Sequence, residues 1–145
     1  MIQQFFLQDI PSTLMSQLIE KFSTFEYLLD GKTIVFLKLS NEEQVSANDL
    51  HIDNIQAFSA LSRNPEYFLL EDIQFFKKTN SNQILEDLLK EVSIVASNND
   101  QPIMVTSFAN KEKKKILSSL KSLSKEYQFY VMDEKTYIDY KSTLS

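Results

Sequence analysis

The sequence predicts a single-domain α/β protein, a mixed, partly parallel sheet with helices packed on it. Three observations carry that expectation. Apolar runs bounded by turn residues alternate along the chain with stretches of helical periodicity. Ile84, Leu85, Leu88, Leu89, Val92 and Val95 form a continuous stripe at helical spacing, with Glu86, Asp87 and Lys90 outside it. EYFLLEDIQFF (66–76) and PIMVTSF (102–108) are apolar on both faces, as a strand covered from both sides must be.

In chain order, IQQFFL (2–7) predicts a short strand. Asp9 and Pro11 supply helix-start chemistry for a helix burying Leu14, Leu18, Ile19 and Phe22. Asp30-Gly31, between two β-rich runs, predicts a hairpin of strands near 25–29 and 32–39. SNEEQVSAND is loop-like, and Ile52, Ile55, Phe58 and Leu61 recur every three residues, which predicts a short amphipathic helix closed by Asn64-Pro65. A long strand over 67–76 follows, then the helix carrying the apolar stripe, capped by Asn80 or Ser81. The strand 103–108, a helix opened by Asn110 and two strands, YQFYVM and KTYIDY, complete the order.

Composition bounds the function. The 145 residues make one domain, long enough for a real core. The chain has no cysteine, hence no disulfide framework, thiolate zinc site or thiol nucleophile. The start carries no secretory signal pattern, and no apolar run approaches the roughly 18 residues of a membrane span. A net charge of −5 speaks against a general nucleic-acid binder. Together these predict a cytoplasmic protein with neither a membrane nor a nucleic-acid partner; its oligomeric state is open. A single glycine excludes the P-loop and dinucleotide cradles, in which backbone must approach phosphate closely.

The order of segments resembles the GNAT superfamily of N-acetyltransferases. IQQFFLQDIPSTLMSQLIEKF matches the family's first strand and helix, and EYLLDGKTIVFLKLS its second and third strands. FLLEDIQFF followed by KKTNSNQILEDLLKEV looks like the fourth strand and cofactor helix, and PIMVTSFANKEKKKILSSL like the fifth strand and next helix. The resemblance covers most of residues 1–145, with an apparent insertion at about 40–65, and implies helices on both faces of the sheet. It also implies that strands four and five splay apart around the pantetheine arm of acetyl-CoA, an added strand in effect. Ile73, Gln74 and Phe75 would present backbone to it. Asn80, Ser81, Asn82 and Gln83 would hold the pyrophosphate at a helix N-terminus, with Lys77 and Lys78 nearby. Asn110 matches the asparagine at the end of strand five, and Lys113 is a candidate for the 3′-phosphate. Glu71 or Asp72 would be the general base toward an amine substrate. No metal site is implied.

Departures accompany the match. The family's loop reads approximately Arg/Gln-x-x-Gly-x-Gly/Ala; here Asn80, Gln83 and Leu85 stand at the three positions. The tyrosine general acid falls on Leu117, and Tyr127 lies beyond the expected place. The sequence thus predicts a GNAT-like protein with a degenerate cofactor loop, an acyl-CoA-dependent N-acyltransferase of weak or absent activity. The alternative is a non-catalytic protein-interaction module that keeps the fold without acetyl-CoA, or a different doubly wound fold of the same element order.

Each candidate also has a plainer role. Glu71 and Asp72 can be satisfied structural carboxylates, KKTNSNQ a capped helix start, and NKEKKK (110–115) a solvated face. His51 beside Asp53 is a lone polar loop residue, without the partners of a metal site or triad. Tyr130, Tyr137 and Tyr140 could line a cleft.

Overall fold

The computed structural model describes residues 2–76, 81–106 and 129–132, with the backbone alone at 81, 106 and 129–132. Six strands, β1 (Ile2–Phe6), β2 (Thr33–Leu39), β3 (Ile55–Arg63), β4 (Phe68–Phe75), β5 (Ile103–Thr106) and β6 (Phe129–Met132), form one sheet in chain order. β1 to β4 run antiparallel to their neighbours, whereas β4–β5 and β5–β6 pair in parallel. The expected mixed α/β sheet is therefore present.

Helix α1 (Ser12–Lys21) starts beyond Pro11, a residue that ends an extended segment and lacks the N–H a helix interior needs. It buries Leu14 and Leu18 against Val35, Leu37, Phe58 and Ala60. Helix α2 (Ser81–Asn98) buries the predicted stripe, with Leu88, Leu89 and Val92 fully enclosed against Phe36, Leu61, Phe68 and Ile73. Asn99 and Asp100 end it, with Asp100 at φ 52°. In β2, Val35 and Leu37 join the α1 layer while Phe36 joins the α2 layer, the two-residue alternation that makes one strand serve both cores. Each fully buried leucine of this kind contributes about 1.5–3 kcal/mol.

Two expected elements are replaced. Residues 25–29 are not a strand: Ser23–Glu26 is a 3-10 turn, and Phe25 and Leu28 both enter the α1 core. Residues three apart cannot share one face of a strand, so the β-rich composition gives way to packing. Asp30-Gly31 is a turn, with Gly31 at φ +76°, but it delivers the chain into β2 without making a hairpin. The helix expected over 52–61 is strand β3, preceded by a 3-10 turn at Ile52–Asn54. β3 lies between β2 and β4 in the middle of the sheet, and Ile55 and Ala57 through Ser62 are all buried. The Ser40 N–H donates to the Asn54 carbonyl at 2.8 Å and closes the connection between β2 and β3. The helix expected from Asn110 and the strand at 135–140 lie outside the described residues.

Candidate functional site at the parting of β4 and β5

β4 carries the acidic pair, and its two halves are built differently. Phe68, Leu69 and Leu70 register with Ile103, Met104 and Val105 of β5, and the Phe68 N–H donates to the Pro102 carbonyl at 2.9 Å. Among the described residues the pairing ends there. β4 continues through Phe75, with β3 as its one described partner. β5 continues to Thr106, registered with Met132 of β6 but with no residue of β4.

The break coincides with a β-bulge. Leu61 opposes Leu70 and Ala60 opposes Asp72, so Glu71 is the extra residue. Main-chain direction follows from the bonds at either end of the ladder. The Asn64 N–H donates to the Tyr67 carbonyl, and the Phe76 N–H to the Gln56 carbonyl. Every second residue of an antiparallel pair exchanges bonds. Leu69, Asp72 and Gln74 therefore turn their main chain to β3; Phe68, Leu70, Ile73 and Phe75 turn theirs toward β5. At Ile73 and Phe75 no described strand meets it.

The candidate side chains divide between the two layers. Glu71 is buried in the bulge. Asp72 is half-buried and accepts three hydrogen bonds: Oδ2 from Thr24 Oγ1 at 2.5 Å and Gln74 Nε2 at 2.6 Å, and Oδ1 from the Ile73 N–H at 2.9 Å. Those three donors hold the carboxylate in one place. Ile73 is enclosed beneath α2, and Phe75 packs against the same layer. Ser81 opens α2, Asn82 is exposed, and Gln83 turns its amide to Asp87 Oδ1 at 2.9 Å, one helical turn on. Leu85 is buried in the α2 core. Lys77, Lys78, Asn80, Asn110, Lys113 and Tyr127 lie outside the described residues. His51 is exposed, its Nδ1 accepting from the Asp53 N–H at 3.3 Å and 3.4 Å from the Asp53 carboxylate.

Residues given no site role from the sequence complete the α1 side. Thr24, in the turn after α1, reaches across 48 positions to Asp72. Phe22 stands edge-on to Phe58 and Phe76 at centroid distances of 5.1 and 4.8 Å, and Lys21 Nζ lies 4.9 Å from the Phe76 ring. Nothing local in Ser-Thr-Phe marks Thr24; its role depends on where the sheet brings β4. Just before β4, burial pushes the Tyr67 phenol above its ordinary pKa, and the neighbouring Glu66 charge adds to the rise.

Sheet order, the change from antiparallel to parallel pairing at β4, and a helix on each face define a GNAT-like α/β fold. A crystal structure of a probable acetyltransferase is similar over 83% of this chain and 87% of that one, with a TM-score of 0.60 and 18% sequence identity. At that identity the likeness speaks to the fold. No protein-family model matches the chain, and no curated protein does. Among the described residues, no helix is long and apolar enough to cross a membrane.

Proposed function

We propose that this protein binds an acyl-CoA where β4 leaves β5 and transfers the acyl group to an amine, as a GNAT-like N-acyltransferase. One observation supports the reading: among the described residues β4–β5 pairing ends at Leu70 and Val105, while β4 runs on to Phe75. The pantetheine amides would add to β4 as a short strand, meeting the main chain of Ile73 and Phe75. The pyrophosphate would rest at the start of α2, on Asn80, Ser81, Asn82 and Gln83, where free N–H groups and the helix dipole favour an anion. Lys78 and Lys113 are proposed phosphate contacts, Asn110 a contact at the end of β5, and Tyr127 the proton donor to the thiolate. Of the two carboxylates, Glu71 is assigned the proton of the incoming amine. Asp72 already serves three donors, so its role is to brace the bulge against Thr24.

The mechanism assigned to these residues is direct transfer. The amine nitrogen attacks the thioester carbonyl carbon, the C–S bond breaks, and the nitrogen's proton passes to Glu71 while CoA leaves as the thiol.

A second reading is supported by the helix start. Gln83 and Leu85 occupy positions that the family fills with small residues, and Gln83 is bonded into the helix surface. On this reading the fold persists as a protein-interaction module without acyl-CoA. Titration with acetyl-CoA separates the two. A ligand at about ten times its Kd raises the melting temperature of a chain this size by about 3–5 °C. Such a shift, with saturable heat in calorimetry, supports the transferase. No shift and no heat at about 1 mM overturns it and leaves the module.

A further inference from the structure

At the opposite edge β1 is the outermost described strand, and its chemistry is unusual for an edge. Its ladder with β2 runs without a register shift from Ile2 to Phe6. Natural edge strands are blunted by charge, proline or a bulge, because unpaired N–H and C=O groups otherwise template another strand. IQQFFL contains no charged residue and no proline.

The outward main-chain groups can be identified. The Arg63 N–H donates to the Lys32 carbonyl at 2.7 Å, so even-numbered residues of β2 bond to β3 and odd-numbered ones to β1. With Phe5 opposite Val35 and Gln3 opposite Leu37, Gln3 and Phe5 bond inward. Ile2, Gln4 and Phe6 therefore turn their N–H and C=O groups outward, where no described strand meets them. Val45 lies close but engages the Gln3 side-chain amide instead of the strand's backbone, at 2.5 and 3.0 Å.

We propose that β1 pairs with β1 of a second copy of this chain, antiparallel, about a two-fold axis at Gln4. This register is self-complementary. Gln4 faces Gln4 of the copy, Ile2 faces Phe6, and all three outward residues on each strand exchange main-chain bonds. Ile2, Gln4 and Phe6 share the α2 face, so Phe6, 56% exposed in the single chain, gains the half-buried Ile2 of the copy as its cover. With no charge in either strand, the seam brings no like charges together. A five-residue seam is short beside the roughly 1,200 Å² that a standing interface buries, so the dimer is concentration-dependent. The inference is independent of acyl-CoA binding.

The absence of cysteine makes the test direct. Paired residues that exchange main-chain bonds sit about 5.5 Å apart at Cα, within disulfide range. Gln4→Cys is expected to form a disulfide-linked dimer under mild oxidation, at several times the yield of Glu20→Cys on the exposed surface of α1. Sedimentation of the wild type is expected to show dimer growing between about 5 and 500 µM, and Gln4→Lys to weaken association about tenfold by opposing two charges across the axis. Gln4 is exposed, so an unchanged melting temperature checks that each variant folds. A wild type that stays monomeric, Gln4→Cys cross-linking no better than Glu20→Cys, or a dimer indifferent to Gln4→Lys would each overturn the proposal.

Discussion

Among the described residues the sheet is closed from β1 to the first half of β4 and parted beyond it, and the two regions satisfy their backbone differently. In the closed region each strand after β1 meets a neighbour on both sides, and aromatic and aliphatic side chains fill both layers. In the second half of β4 the one described neighbour is β3. A side chain does part of a second neighbour's work: Asp72 Oδ1 accepts the Ile73 N–H, as a carbonyl of β5 would have done. The closed region is held by packing and by ladders on both sides; the second half of β4 is held by its ladder to β3, by Ile73 beneath α2 and by a small polar network around Asp72.

That contrast can be broken, first, at its packed end. Phe58 is fully buried between Phe22 and Phe25, and Phe58→Ala is expected to cost about 3–5 kcal/mol in chemical denaturation. A loss below 1 kcal/mol would mean that β3 is not the centre of the core. The polar end is predicted to be cheaper. Asp72→Ala strips three donors of their acceptor in a half-exposed place and should cost about 1–3 kcal/mol, with hydrogen exchange accelerating at Ile73 before it does in β3. Uniform acceleration across the sheet would erase the distinction between the regions.

Ser59 sharpens the boundary. It stands opposite Ile73 on β3, fully buried, and its hydroxyl has no hydrogen-bond partner among the described residues. Ser59→Ala is expected to raise stability by about 1 kcal/mol, because a stranded hydroxyl is removed from an apolar layer. A fall of similar size would reveal a water held there.

The smallest effect belongs to Tyr67. Its phenol stays protonated to higher pH in the folded chain than in the unfolded one. Stability is therefore intact below the ordinary tyrosine value of about 10 and declines as pH rises through the interval above it. Tyr67→Phe should flatten part of that alkaline decline in melting temperature and leave neutral pH unchanged.

The elements that were legible in sequence have one periodicity and one buried face, or two plainly apolar faces. α2 shows its stripe from Ile84 onward, and β4 and β5 are apolar runs of strand length. β3 was illegible for a physical reason. Both its faces are buried, small Ala57, Ser59, Ala60 and Ser62 erase any alternation, and the large residues left over fall three apart by accident. A register shift near Gln56 disturbs the count further. Phe25 and Leu28 misled in the opposite sense, since β-prone side chains suit a 3-10 turn when a core takes both. At the site, the acidic pair was visible, but its division of labour was not. Which carboxylate sits in a bulge depends on the partner strand, and Thr24 approaches Asp72 only after the sheet has formed.

Glu71 works on β4 as a comma works in a sentence. Were it absorbed into a regular ladder, each following side chain would change address, sending Asp72 beneath α2 and Ile73 toward α1. Standing outside the count, it leaves every later residue where it belongs and contributes a kink alone. A chain with Glu71 deleted would keep all those addresses and lose the kink.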